Sequence, residues 1–427
     1  MKTTSVSAVL AAVLVVFLAA GTAASVAAPA FATTAAFATT AAFVTTAAPA
    51  DKPSSVTATD PSVFVPDGAP SPPELSAAAA VLMDVASGRI LYARSAHDKR
   101  PPASLTKIMT ALLALEAGEL DHQVEVSRKA ATVGGSSIWL EAGEVQTVGD
   151  LLYGLMLRSG NDAAVAIAEH VAGSVSDFAL LMNRRAAEIG ATETHFRNPH
   201  GLPTAGHYTT AADLALIARE ALLRPDFREV VSTRRHVIPW PSRSWDRAVY
   251  NENRLLWLYP DADGVKTGWT EEAGRCLVAS ATREGWQLVA VFLDAPGMWT
   301  DASQLLDWGF GAFNSMVLYR AGETVTQVRV AGATERWVSL TAGQDVRVAV
   351  LPGETERVEV KPETPHFVRS PLDRGTEVGS VRLVVDGVPL ARAALVSSES
   401  IPVGGVVGRL LEDLWSLLAA FLARLVE

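Results

Sequence analysis

A serine hydroxyl is a poor nucleophile until a neighbouring base takes its proton. Ser104 and Lys107, in the string Ser104-Leu-Thr-Lys107, supply that pairing. Three residues apart on a helix, they share one face, so the amine can reach the hydroxyl. A lysine works as a base only while it is neutral, and burial or a second nearby cation lowers its pKa. Lys266, in Lys266-Thr-Gly268, can be that cation. Between them lies Ser159-Gly-Asn161, which offers a hydroxyl and an amide. Each string is short enough to recur by chance. In this order they point to acyl transfer through an active-site serine, without a histidine.

The surrounding residues indicate which elements must hold these groups. Ser104 follows Pro101-Pro102-Ala103 and precedes Ile108, Met109, Leu112, Leu113 and Leu115. That pattern predicts a loop entering a buried helix near Ser104, where a serine also makes a good N-cap. Ser159-Gly-Asn161 follows the apolar helical run Val148 to Leu157 and precedes a second helix, Ala163 to Ala172. It is expected on a tight connection, with Gly160 permitting the turn. Lys266-Thr-Gly268 precedes the apolar stretch Cys276-Leu-Val-Ala-Ser280. It reads as a strand facing the nucleophile, with Gly268 letting a substrate backbone come close.

These motifs resemble those of the D-alanyl-D-alanine carboxypeptidases, the low-molecular-mass penicillin-binding proteins. Further strings carry the resemblance: Arg158-Ser-Gly-Asn-Asp-Ala163, Asn198-Pro-His-Gly-Leu202, Asp263-Gly-Val-Lys-Thr-Gly-Trp-Thr270, Leu277-Val-Ala-Ser-Ala281 and Leu305-Leu-Asp-Trp-Gly-Phe310. The resemblance runs from about Ala77 to the C-terminus. It implies Ser104 as acylated nucleophile and Lys107 as general base. Ser159 and Asn161 would move protons and hold the substrate. Lys266 and Thr267 would bind the terminal carboxylate beside Gly268, and the backbone N–H groups of Ser104 and Trp269 would form the oxyanion hole. It also implies no metal or other cofactor, peptidoglycan stem peptides as substrate, and β-lactams as covalent inhibitors. One departure is plain. Some members carry an arginine before the helix ending in Trp-Gly-Phe, where this chain reads Asp294 to Asp301 without a basic residue. Arg254 and Arg275 are the candidates to replace it.

Composition bounds the remaining functions. The 427 residues suffice for more than one domain, and a net charge of −10 without basic runs argues against nucleic acid. The single cysteine, Cys276, allows no intramolecular disulfide and reads as a small buried hydrophobe. His195, His200 and His207 share one loop, but their spacing fits no common zinc pattern. His200 is expected to shape the rim of the site.

Five segments follow from pattern. Residues 1–30 read as a signal peptide, with an apolar core from Ala8 to Ala20, and imply export; the resemblance implies that the exported chain works at the outer face of the bacterial cytoplasmic membrane. Residues 31–76 are a linker, opening with Phe31-Ala-Thr-Thr-Ala-Ala36 and two near-copies. Residues 77–314 are the catalytic domain. Strands at its two ends around a helical block predict an α+β fold; the resemblance implies the serine β-lactamase/transpeptidase-like arrangement, an antiparallel sheet covered by helices. Residues 315–398 alternate in short runs, such as Val325 to Val330 and Val346 to Val350, and predict a small all-β domain. Residues 402–427 form an amphipathic helix, with Arg409, Glu412, Asp413 and Ser416 opposite Leu414, Trp415, Leu418 and Phe421. Such a helix suits a membrane surface.

The leading expectation is a serine-type D-Ala-D-Ala carboxypeptidase that trims stem pentapeptides through a Ser104 acyl-enzyme and limits wall cross-linking. A D,D-endopeptidase would use the same groups. A serine β-lactamase shares the motifs, but no glutamate in an E-x-x-L-N pattern follows Ser159. An inert wall-binding protein would not need the intact strings.

Overall fold

A computed structural model describes residues 62–402, apart from residues 119, 334 and 335. The expected signal peptide, most of the linker and the terminal amphipathic helix lie outside the described residues. In chain order the first part contains β1 (Val63–Phe64), β2 (Ala79–Asp84) and β3 (Ile90–Arg94), then α1 (Lys107–Ala117). Next come β4 (Gln123–Glu125), α2 (Arg128–Ala131), β5 (Val145–Thr147), α3 (Val148–Leu157), α4 (Asn161–Ala172) and α5 (Val175–Ile189). They are followed by α6 (Ala211–Leu222), α7 (Pro225–Ser232), β6 (Arg235–Ile238), β7 (Arg247–Tyr250) and α8 (Leu255–Leu258). The part closes with β8 (Ala262–Thr270), β9 (Gly274–Arg283), β10 (Trp286–Leu293) and α9 (Met298–Ala312).

Six of these strands form one antiparallel sheet in the order β1-β3-β2-β10-β9-β8. Its inner strands are apolar on both faces, as a strand covered on both sides must be. Along β2, Ala79, Val81 and Met83 face the helical block, while Ala80 and Leu82 face α9. Strand β10 repeats the alternation, with Val289 and Val291 on one side and Leu288, Ala290 and Phe292 on the other. Three layers result: helices, sheet, and α9. Strand β8, which carries Lys266-Thr-Gly268, is an edge, so its outer side is open to the cleft.

The helices begin where short polar side chains can cap them. Thr147 Oγ1 accepts from Asp150 N, Ser174 Oγ from Asp177 N, and Thr210 Oγ1 from Asp213 N. The helical block also holds two strand pairs that hydrophobic periodicity does not single out, β4–β5 and β6–β7. Each is only three or four residues long and largely exposed, and tertiary contacts decide its pairing.

The second part is all β. It contains β11 (Asn314–Tyr319), β12 (Thr324–Ala331), β13 (Trp337–Ala342), β14 (Val346–Val350), β15 (Val358–Glu363), β16 (Phe367–Arg369), β17 (Glu377–Val385) and β18 (Val388–Ser397). Strands β11 and β14 pair, and the other six form a sheet in the order β15-β17-β18-β13-β12-β16. Val328, Val338, Leu340, Val348, Leu383 and Leu395 are part of its core.

Candidate active site

Two departures from the sequence expectation shape the nucleophile. Ser104 is not a helix N-cap. It lies within a 3-10 turn, Ala103–Thr106, and α1 begins only at Lys107. The turn keeps the i, i+3 relation, which eclipses in a 3-10 helix, so Lys107 Nζ stands 2.9 Å from Ser104 Oγ. The turn is bent in by Ala103, whose φ is +47°. Ala103 O also presses on the 197–207 loop, where Gly201 has φ +88° and a Cβ would sit 1.8 Å from that oxygen. Only glycine fits there.

The second departure concerns Ser159-Gly-Asn161. Gly160 has an ordinary negative φ of −57°, and Ser159 takes the left-handed conformation at φ +62°. Glycine is needed at 160 for space instead: a Cβ would meet Asp162 Oδ1 at 2.7 Å and Ile138 Cγ2 at 3.3 Å. Helix α4 starts two residues earlier than expected, at Asn161, which puts the amide in its first turn. Ala103, Ser159 and Trp139, with φ +59°, are all non-glycine residues in the left-handed region bordering one cleft. Such local strain collects at functional sites.

Lys107 is fully buried. Its Nζ lies 2.7 Å from Asn161 Oδ1 and 2.7 Å from His200 O, besides the contact with Ser104. Both oxygens can only accept. Asn161 is held in that orientation because its Nδ2 donates to Gly134 O at 2.7 Å. A neutral amine has two N–H bonds and one lone pair. With the two N–H bonds given to Asn161 and His200, the lone pair faces the serine hydroxyl. Burial, and then the Lys266 charge, push the Lys107 pKa well below its ordinary value; Glu252 and Asp162 act in the opposite direction.

Lys266 is almost wholly buried on β8, and its ammonium has no hydrogen-bond partner among the described residues. Burial lowers its pKa to about 8, against a raising effect of Glu252. Thr267 is half-buried next to it, and Trp269 is exposed. The side of Gly268 where a Cβ would stand is filled by the nucleophile's own turn, with Ser104 N at 3.1 Å and Leu105 N at 3.3 Å. The missing side chain thus makes room for Ser104. Contacts therefore bring Ser104, Lys107, Asn161 and Gly268 together, with the Lys266 charge acting on Lys107; Ser159 stands two residues before Asn161, and Thr267 and Trp269 flank Gly268 on β8. This arrangement can support proton removal from a hydroxyl at neutral pH next to a cation that can hold a carboxylate.

Several supporting residues escape sequence reasoning. Asp162, buried, accepts hydrogen bonds from Ser137 Oγ, Ile138 N, Leu140 N and Ala163 N, and so pins the loop whose Gly134 O and Ser136 O hold Asn161. The Gly134-Gly-Ser-Ser137 run was the visible signal. Glu252 pairs with Arg158, which itself stacks over Trp139. His207 Nδ1 accepts from Arg197 N, so Nε2 carries the proton and donates to Thr106 Oγ1, which donates to Ala103 O. Burial holds His207 neutral, with a pKa down to about 4. His200 contributes its backbone carbonyl to Lys107, and its ring nitrogen Nδ1 accepts from Leu202 N. Among the described residues no three His, Cys, Asp or Glu side chains form a metal-binding group. Cys276 is buried behind Gly268, its thiol pushed up to about 11 by burial. Arg275 is exposed and donates to Pro296 O, and Arg254 is exposed at the start of α8.

Comparison with known proteins agrees with this geometry. Residues 67–297 match the D-alanyl-D-alanine carboxypeptidase family, and residues 313–403 match the C-terminal domain of penicillin-binding protein 5. The chain is 34% identical over 361 residues to the D-alanyl-D-alanine carboxypeptidase DacF of Bacillus subtilis, covering 81% of this chain and 92% of that protein. It is 34% identical over 365 residues to DacC of Escherichia coli, covering 82% and 90%. Among solved structures it is similar to penicillin-binding protein 5 of Haemophilus influenzae, with a TM-score of 0.61, 32% identity and coverage of 78% and 99%. It is also similar to a mutant of the Streptomyces K15 DD-transpeptidase, with a TM-score of 0.53, 34% identity and coverage of 56% and 99%. With a serine–lysine cleft in a matching fold and a third of its residues shared over four-fifths of its length, this chain belongs to the D-alanyl-D-alanine carboxypeptidase family.

Proposed function

We propose that this chain is a serine-type D-Ala-D-Ala carboxypeptidase that removes the terminal D-alanine from peptidoglycan stem pentapeptides. The contact carrying this reading is the 2.9 Å approach of Lys107 Nζ to Ser104 Oγ, with the amine's two N–H bonds occupied elsewhere. The Ser104 proton passes to Lys107 as Oγ bonds to the carbonyl carbon of the penultimate D-alanine. The peptide C–N bond then breaks, and the departing amine takes the proton from Lys107. Water cleaves the resulting ester in the same way, with Lys107 as base, and returns the proton to Ser104. Backbone N–H groups of Ser104 and Trp269 would meet the oxyanion, a contribution of about 3 kcal/mol per donor in comparable sites. Lys266 and Thr267 would hold the terminal carboxylate, and Ser159 would relay protons to the leaving amine. β-Lactams would acylate the same serine.

The reaction implies a site outside the cytoplasmic membrane, where the wall is built. The expected signal peptide and the amphipathic helix of residues 402–427 would export the chain and hold it at the membrane surface. Trimming stem peptides removes donors for cross-linking, so the enzyme would limit it. Ser104→Ala should abolish both D-alanine release from a pentapeptide and covalent labelling by a fluorescent penicillin, with the circular-dichroism spectrum unchanged. Labelling at the wild-type rate would falsify the assignment of the nucleophile.

A further inference from the structure

The large sheet of the second part buries one side in its core, and three of its strands leave large rings on the other. The register sets Phe367 of β16 and Trp337 of β13 on either side of Arg329 of β12, so the three side chains stand in one row on the outward face. The alternate residues Val328, Val330 and Val338 point the other way, into the core. Trp337 is 55% exposed and Phe367 51%, so both rings are open to what lies outside. Two residues along, Arg369 stands beside Ala331 on the same face. Arg329, Arg369 and Arg336, which precedes Trp337, are exposed and join no ion pair among the described residues. The acidic groups at the far edge of the sheet are spent there, Glu359 on Lys361 and Glu363 on Arg382 and Arg392.

The place where the chain leaves this sheet points to what meets the face. Ile401 pairs with Leu372, three residues past Arg369, through hydrogen bonds of 2.7 and 3.0 Å. Ser398 N donates to Ser339 O, two residues past Trp337, at 3.0 Å. The tail therefore departs from the end of the sheet that carries the row. Arg374 and three exposed carboxylates, Asp373, Glu377 and Glu399, stand toward that end too, and Glu335 lies outside the described residues. Charge there nearly balances, so the open rings and the departure of the tail, not bulk attraction, select the partner. Arg409, the first polar residue on the stripe of the expected amphipathic helix, follows Pro402 by seven residues. Seven extended residues span at most about 25 Å. A helix lying in a membrane surface thus holds this end of the sheet within reach of the headgroups. An indole with an apolar body and a polar N–H suits that layer, and a guanidinium suits phosphate oxygens. A folded partner could use the same side chains, but nothing ties one to this end of the sheet.

Building on the reading of residues 402–427 as a membrane-surface helix, we propose that the outward face of β12, β13 and β16 is a second membrane contact. Trp337 and Phe367 sit among lipid headgroups, and Arg329 and Arg369 meet their phosphates. The tail supplies the tether, which raises the effective concentration of the face at the surface. One row of side chains is too small to hold the enzyme there once the tail is gone. The mature chain with its tail is tested on phosphatidylglycerol–phosphatidylcholine vesicles, with a solvent-sensitive dye on Ala331→Cys. Cys276 is buried, its thiol pushed up to about 11, so the dye goes to the introduced thiol. Adding vesicles should shift the dye emission to the blue. The same dye on Glu359→Cys, on the opposite edge strand β15, should not shift. Trp337→Ser with Phe367→Ser should abolish the shift at 331 while flotation persists through the tail, with melting temperatures showing that the variant folds. Arg329→Glu with Arg369→Glu leaves the rings in place, should at least halve the shift, and keeps the test intact if the ring variant unfolds. A chain that floats without a shift at 331, an equal shift at 359, or an undiminished shift in folded variants overturns the face and leaves the tail reading standing. A shift that grows with protein concentration without vesicles gives the face to a second copy of the chain and overturns it as well. A chain that does not float overturns both.

Discussion

Lys107 and Lys266 are both buried, and their tasks require opposite charge states. In the proposed mechanism Lys107 must be neutral to take a proton, while Lys266 must be charged to hold a carboxylate. Burial lowers both pKa values, and the Lys266 charge lowers that of Lys107 further. The working window therefore opens as pH rises past the Lys107 pKa and closes as pH rises past about 8, where Lys266 loses its proton. A bell-shaped profile of kcat/KM with its alkaline limb near pH 8 is expected. Glu252, held by Arg158, favours the charged form of both lysines. Removing its charge in Glu252→Gln should lower both pKa values, so both limbs should move to lower pH. Stopped-flow acylation across pH 5 to 10 (about 20 points) would measure this, and an alkaline limb fixed in place would show that Glu252 does not act on Lys266. The same lysine has a linkage consequence. Between about pH 8 and its unfolded value of about 10.5, Lys266 binds fewer protons folded than unfolded, so its contribution to stability becomes more favourable as pH rises through that window.

At the scale of elements, the site depends on how a loop and two helix starts are tied. Asp162 stands in the first turn of α4, where a carboxylate also suits the helix dipole. Its oxygens satisfy the N–H groups of Ile138 and Leu140, which lie in a loop with no secondary structure of its own. Asp162→Ala leaves those buried donors unpaired, at about 1–3 kcal/mol each. The loop would loosen, and Asn161 would lose the Gly134 O and Ser136 O contacts that orient it toward Lys107. Native-state hydrogen exchange should show faster exchange at Ile138 and Leu140, and D-alanine release should fall by at least tenfold. Unchanged protection at those amides would remove the loop-pinning role. Sequence periodicity located α3 and α4 because their apolar faces are strong. It could not show that Ser159, not Gly160, takes the left-handed conformation, nor that residue 160 must be glycine because a Cβ there would crowd Asp162 and Ile138.

At the scale of the whole molecule, the catalytic part and the β-rich part are joined by buried polar contacts as well as by the chain. Arg89, at the β2–β3 turn, makes a bidentate pair with Glu354 at 2.7 Å on both arms and donates to Ala349 O. Asp84 accepts from Ala349 N at 3.2 Å, and burial raises its pKa. Glu354 in turn accepts from Leu351 N. Glu354→Ala would strand the Arg89 charge in a buried site, a loss of about 3–5 kcal/mol. Scanning calorimetry should then resolve two transitions where wild type shows one coupled transition, with turnover of a small pentapeptide retained, since no cleft residue is touched. No single helix among the described residues is long and apolar enough to cross a membrane. The tail after Pro402, which lies outside them, is the expected anchor, and its deletion should move the mature enzyme to the soluble fraction in vesicle flotation. A truncated enzyme that still floats would place the anchor elsewhere.

The sequence by itself singled out the candidates for the chemistry, one serine, one lysine and one cation, because covalent catalysis restricts residue types and a helical turn restricts spacing. It also marked the short strands of the second part, since burial on one face writes a period into the chain; β2 and β10, apolar on both faces, carry no such period. The tertiary structure decided what spacing cannot encode. It placed the amine's two N–H bonds on Asn161 and His200, 54 and 93 residues away, and left the lone pair for Ser104. It filled the space above Gly268 with the nucleophile's turn and set Arg158 against Glu252. Such contacts join groups far apart in the chain. They arise only when the sheet edge, the 3-10 turn and the α3–α4 connection are packed against one another, so no local pattern records them.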